Sequence, residues 1–144
     1  VFLVLHIYSR SGMIVLTKKS DLQHILDRII PAYGKYIDVL PGWYGIILEL
    51  DKQIAEIDPD YSIAQIKEKF GGLRYYVESS NNFEAIQPLI REAEDKAART
   101  CEQCGAPAEL RKRRSWLVTE CYDCLPPEAA ETPYFPCMSW GLTV

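Results

Sequence analysis

Cys101, Cys104, Cys121 and Cys124 follow a C-x2-C-x16-C-x2-C spacing within "CEQCGAPAELRKRRSWLVTECYDC". Each Cys-x-x-Cys pair forms a tight knuckle whose two thiolates reach one ion, and the intervening residues suffice for a β-hairpin that brings the knuckles together. Zinc suits the set because it is borderline soft, takes four thiolates tetrahedrally and imposes no redox chemistry. Iron uses the same ligands, and spacing alone leaves both metals open. Gly105, directly after the first pair, supplies the backbone freedom a knuckle needs. A four-thiolate site has no open position for water or substrate, so the expected ion is structural and stabilises a segment too small for its own core. A thioredoxin-like redox role fits poorly, since the first pair follows a predicted helix instead of opening one after a strand. The fifth cysteine, Cys137, falls outside this scheme and reads as a small buried apolar residue in the tail, with a reactive thiol as the alternative.

Between the two pairs lie Arg111, Lys112, Arg113 and Arg114, close to Trp116. At the expected tip of a hairpin, guanidinium groups beside an aromatic ring form the best candidate binding surface in the chain. Glu109 and Glu120 flank the run and partly neutralise it, which favours a solvated tip or a protein contact over phosphates. A second basic stretch, "KEKFGGLR", sets Lys67, Lys69 and Arg74 around two glycines. It has neither phosphate-loop spacing, and its glycines read as the left-handed cap of a preceding helix, whose C-terminus repels anions.

No catalytic constellation is visible. His6 and His24 are the only histidines, neither has a nucleophile or metal partner in sequence, and the acidic residues are scattered over helices. An enzyme with an unrecognised site would need a pocket of converging polar groups around His24 or those helices.

The elements that must hold the cysteines follow from periodicity. With 144 residues, 48% of them hydrophobic and 25% charged, the chain has the composition of one folded core. A net charge of −4 removes long-range attraction to nucleic acid from the molecule as a whole. "VFLVLHIY" is too short to span a bilayer and lacks the flanks of a signal peptide, so a cytoplasmic protein with no membrane partner is expected. "MIVLTKK" reads as a strand, and residues 1–12 as an extension or a first strand. Ser20 reads as the N-cap of a helix carrying Leu22, Ile25, Leu26 and Ile29 and running to about Ile30. Residues 31–43 form a turn-rich connection whose Tyr33, Tyr36 and Trp43 should fold over the core. Ile46, Ile47, Leu50, Ile54 and Ile57 define a second helix. A short helix capped by Ser62 and ending at Phe70 is expected next, then a strand with Leu73, Tyr75 and Val77 on one face. Ile86, Leu89, Ile90, Ala93 and Ala97 mark a third long helix with Pro88 in or near its first turn, and this helix leads into Cys101. The tail, with its prolines and aromatics, should dock on the body.

"YSIAQIKEKFGGLRYYV", "IREAEDKAARTCEQCGAPAELR" and "WLVTECYDC" together resemble a family of small uncharacterised bacterial and bacteriophage proteins. Its members carry a Trp-led helix, a Lys-Phe-Gly-Gly-Leu-Arg turn and a terminal zinc-ribbon-like segment, matched here by Trp43, residues 69–74 and the four cysteines. The match runs from about Pro41 to Cys124. The family implies no established activity; its phage association implies a phage- or mobile-element-related protein that modulates a host or defence system. The expected architecture is α+β: a body over residues 1–100 with three main helices and a small sheet, a four-cysteine zinc ribbon at 101–126, and a docked tail at 127–144. The expected function is protein–protein contact through Arg111, Lys112, Arg113, Arg114 and Trp116, with a nucleic-acid-binding ribbon as the alternative.

Overall fold

Helically spaced apolar residues draw three segments onto one small sheet. The computed structural model describes residues 18–126, together with the backbone of two short strands, β1 (His6–Ile7) and β2 (Val15–Leu16), which pair antiparallel. The tail with Cys137 and residues 13, 14 and 17 of the expected strand lie outside the described residues, while Lys18 and Lys19 at its end lead into the following turn instead of extending a strand.

Asp21 Oδ2 accepts the Lys18 N–H at 2.9 Å and starts a 3-10 turn at Lys19–Leu22, which continues as α1 (Gln23–Arg28). The cap is therefore Asp21 reaching back to Lys18, with Ser20 inside the turn. Ile29 already has extended backbone and bridges Ile63, so the helix stops short of Ile30. Leu22, Ile25 and Ile29 are buried as their spacing requires. In the connection that follows, Trp43 is the buried aromatic. Tyr33 and Tyr36 are 51% and 57% exposed, because a short strand, β3 (Ile37–Asp38), directs Ile37 to the core in their place.

α2 (Tyr44–Ile57) buries Ile46, Ile47, Leu50 and Ile54. It is the crossover that lets β3 run parallel to β4 (Ser62–Lys69), which pairs antiparallel with β5 (Gly72–Ser79) in a sheet of order β3-β4-β5. The short helix expected from Ser62 to Phe70 is thus a strand. Ile63 and Ile66 are three apart and both buried, a helical spacing that a bulge reproduces: Ile63 pairs with Val77 and Gln65 with Tyr76, which leaves Ala64 as the extra residue. Nor are the glycines a helix cap. Phe70 and Gly71 form a two-residue hairpin loop with φ of 54° and 76°, the left-handed backbone that such loops require. A phenylalanine there costs about 1 kcal/mol.

α3 (Phe83–Ala97) buries Ile86, Ile90, Ala93 and Ala97 against the sheet and α2. Pro88 lies in its second turn, not its first, on the exposed side, where water reaches the Glu84 carbonyl that loses its helical donor. Beyond α3, β6 (Glu109–Arg113) and β7 (Trp116–Glu120) form an antiparallel hairpin. Among the described residues the protein is α+β, with three helices and small sheets, and no helix is long and apolar enough to cross a membrane.

Asp58 ties the end of α2 to the start of α3. It accepts hydrogen bonds from Ser80 Oγ at 2.6 Å and from the Asn81 N–H at 2.9 Å. These bonds, Ser80's first, hold its pKa below the ordinary aspartate value against the opposing effect of burial. A depressed carboxyl stabilises the fold above its unfolded pKa of about 4 and loses that contribution as pH falls through the folded value. Urea melts are expected to show Asp58→Asn less stable than wild type at neutral pH, with the gap closing in acid. A gap that stays constant down to about pH 2 would contradict this.

Candidate metal centre

Two local turns build the site. In the first knuckle the Cys101 N–H donates to the Ala106 carbonyl at 2.7 Å and the Gly105 N–H to the Cys101 carbonyl at 2.9 Å, with Gly105 at φ 80°. In the second, a 3-10 turn at Tyr122–Cys124 closes with the Cys124 N–H on the Cys121 carbonyl at 3.2 Å. The hairpin β6–β7 joins the two, and all four sulfurs come within 4.8 Å of one another. Cys104 Sγ and Cys121 Sγ are 3.6 Å apart, too far for a disulfide. A tetrahedron with metal–sulfur bonds of about 2.3 Å has edges of about 3.8 Å, so the set fits one thiolate-bound divalent ion. Cys101 and Cys121 are buried, while Cys104 and Cys124 are half-buried.

The thiols are unequal. Burial pushes Cys104 and Cys124 up, whereas at Cys121 the Cys124 N–H and the neighbouring thiols outweigh burial and draw the pKa down. The sulfurs share protons that a cation would displace. Beside them Glu102 is 8% exposed and burial lifts its carboxyl to about 7, opposed by the Leu40 N–H and reinforced by Glu68, Glu120 and Asp38.

The centre is stitched to the body. Gly42 donates its N–H to the Glu102 carbonyl at 2.7 Å, and the Trp43 indole donates to the Thr100 carbonyl at 2.8 Å. Leu40 N–H reaches Glu102 Oε1 at 3.3 Å, and on the far side Thr119 Oγ1 donates to the Gly71 carbonyl at 2.6 Å. Sequence reasoning missed this seam, whose single trace in the chain is the Pro-Gly-Trp triplet at residues 41–43.

The basic run divides between the two faces of the hairpin. Arg111, Lys112 and Arg113 lie along β6, and only Arg114, at φ 54°, belongs to the turn. On the inner face Leu110, Leu117 and Thr119 lie against Gly71. On the outer face Arg113 Nη2 meets Glu120 Oε1 at 2.9 Å, and Arg111 donates to the Glu120 carbonyl with its guanidinium 4.3 Å from the centre of the Tyr122 ring. Trp116, opposite Arg113, is 72% exposed and Tyr122 74%. Lys112 and Arg114 project into solvent.

His24 sits at the surface, yet its Nε2 is 3.2 Å from Oδ2 of the buried Asp51, a contact the sequence did not show. Arg28 Nε lies 3.0 Å from Asp51 Oδ1, an ion-pair distance although its N–H is off the line of a hydrogen bond. Tyr61 donates its hydroxyl to the same oxygen and meets the Tyr75 hydroxyl at 2.6 Å. Burial, the largest cause at both rings, pushes the two phenols up and keeps them protonated. Both carboxylate oxygens are engaged, so the cluster serves as a cross-tie among α1, α2, β4 and β5. The one legible signal was the i, i+4 spacing of His24 and Arg28.

Comparison with family models, with curated proteins and with solved structures gives no match for this chain.

Proposed function

We propose that the chain is a zinc-stapled protein-recognition domain, in which the four-cysteine site holds the β6–β7 hairpin rigid and its outer face docks on another protein. Zinc supplies no reaction here. Its four thiolates leave no open position, and its effect is to fix a segment without a core of its own. The observation that carries the proposal is the pair of exposed aromatics, Trp116 and Tyr122, on one face with the guanidiniums of Arg113 and Arg111. Trp, Tyr and Arg are the residues that dominate protein interfaces, and side chains already held in place lose less freedom on docking. The charge of Arg113 is met by Glu120, which favours a protein surface over phosphates at this face.

The test is affinity capture from a bacterial lysate with and without nuclease, using wild type, Trp116→Ala and Lys112→Ala/Arg114→Ala. The last pair is preferable to neutralising all of Arg111–Arg114, since Arg113 balances the buried Glu120. Nuclease-resistant partners, reduced at least tenfold by Trp116→Ala, are expected, in line with the loss of one interface anchor. A capture in which every partner vanishes with nuclease, or in which no nuclease-resistant partner responds to Trp116→Ala, would overturn the proposal. Elemental analysis of the purified protein is expected to give one zinc per chain.

A further inference from the structure

The finding that residues 62–79 are a β-hairpin removes the reason for setting aside the basic stretch around the two glycines. There is no helix C-terminus to repel an anion. Instead, strand pairing puts Gln65 opposite Tyr76, Lys67 opposite Arg74 and Lys69 opposite Gly72, all on the face of the sheet turned away from the core residues Ile66, Leu73 and Tyr75. Gly72 has no side chain, and the Arg74 guanidinium lies over it: a Cβ there would be 3.0 Å from Arg74 Nη1. Three cations thus share one patch. Among the described residues none of them forms an ion pair; Lys67 Nζ binds Gln65 Oε1 at 2.9 Å, and Arg74 Nη1 donates to its neighbour's carbonyl. Asp38, on the edge strand β3, is directly opposite Lys67 on the same face without forming an ion pair, and Glu78 lies beyond Tyr76 along β5.

Like charges placed directly across a strand pair oppose folding, and an anion between them reverses the sign. Two aromatics flank the cations. Tyr76 is 41% exposed with Lys67 Nζ 5.6 Å from its ring centre, and Phe70 is 70% exposed with Lys69 Nζ at 5.5 Å. Phe70 also occupies a left-handed position where Asn or Gly would be relaxed. An exposed aromatic held in a strained turn points to use rather than packing.

We infer that this sheet face is a binding site for single-stranded nucleic acid, with Lys67, Lys69 and Arg74 each on a backbone phosphate and Tyr76 and Phe70 as stacking platforms for bases. The site is separate from the outer face of the β6–β7 hairpin, so it stands or falls independently of the protein-recognition proposal. Phosphate contacts supply salt-dependent affinity and aromatic faces accept any base, which together give binding with little sequence preference.

The test is fluorescence anisotropy of the metal-loaded full chain with labelled single-stranded DNA and RNA of about ten nucleotides, beside a duplex of equal length. Saturable single-strand binding is expected, weakening roughly twentyfold between about 50 and 200 mM salt, the slope for three phosphate contacts. Lys67→Gln/Lys69→Gln/Arg74→Gln should weaken it at least tenfold and Tyr76→Ala about fivefold, the low end for one stacked base. Lys112→Ala/Arg114→Ala should leave it unchanged. Should the triple variant fail to fold by circular dichroism, Lys69→Glu, at an exposed position beside the turn, takes its place with the same expected direction. No saturable single-strand binding at low salt, equal binding of the duplex, or loss in the hairpin variant but not in the sheet variants would overturn the assignment.

Discussion

Stripping the metal with a strong chelator is expected to unfold the segment of residues 101–126 and to lower the melting midpoint of the remaining body by on the order of 15 °C. The first half follows from size. That segment is far below the length at which a chain sustains its own core, and four-thiolate sites supply on the order of 10 kcal/mol to such segments. The second half follows from the seam. Four hydrogen bonds cross it: from Leu40 and Gly42 to Glu102, from the Ala108 N–H to the Arg99 carbonyl, and from Thr119 to Gly71. At about 1 kcal/mol each they sum to about 4 kcal/mol, which for a domain of this size moves the midpoint by the stated amount. Trp43, fully buried, reports the change directly through its fluorescence. Cys101→Ser should mimic chelation more fully than Cys124→Ser, because Cys101 is buried and Cys124 only half so. A body whose midpoint ignores the chelator would show the hairpin to be an independent appendage.

What the sequence displayed and what it hid have separate physical causes. α2 and α3 were legible because each carries a long apolar stripe, and a stripe constrains many residues at once. The cysteine site was legible because metal geometry restricts both ligand type and spacing. Residues 62–70 misled for a specific reason. A bulge at Ala64 shifts the alternation by one residue, so Ile63 and Ile66 face the core at helical spacing, and no local pattern separates that from a turn of helix. β3 is two residues long, too short to show any period, and exists because β4 accepts it. The exposure of Tyr33 and Tyr36 was hidden for a related reason: aromatic size favours burial, but the place beside the core was taken by Ile37 and Trp43. Asp51 and its ring of partners depend on α1, β4 and β5 meeting α2, a tertiary fact with almost no sequence trace. The basic run shows the same limit at finer grain. Its composition was plain, yet which cation is held and which projects into solvent depends on Glu120 and Tyr122 across the hairpin.

Gly42→Ala is expected to cost about 3 kcal/mol of stability and to weaken metal retention in the same variant, although residue 42 touches no sulfur. Gly42 sits where the turn before α2 meets the backbone of the first cysteine knuckle. An added Cβ would overlap the Cys101 carbonyl oxygen and lie 2.5 Å from that of Glu102. Both obstacles are main chain, so no side chain can rotate to make room. Either the 2.7 Å bond from the Gly42 N–H to Glu102 breaks, or residues 101–102 move and drag Cys101 from its position among the other sulfurs. Overpacking that only flexible groups oppose is cheap; against paired backbone it reaches the upper end of the usual range of about 1–3 kcal/mol. The control is Trp43→Phe, which leaves the backbone of residues 101–102 unobstructed while removing the indole bond to Thr100 and part of the buried ring system, at a cost of about 2 kcal/mol. Competition with a chromophoric chelator separates the two modes of failure. If the seam transmits the strain, Gly42→Ala surrenders its metal at a lower chelator concentration than Trp43→Phe does. If the two variants release metal alike while differing in thermal stability, the clash is absorbed by the body, and the sulfur cluster stands apart from the turn that leads into α2.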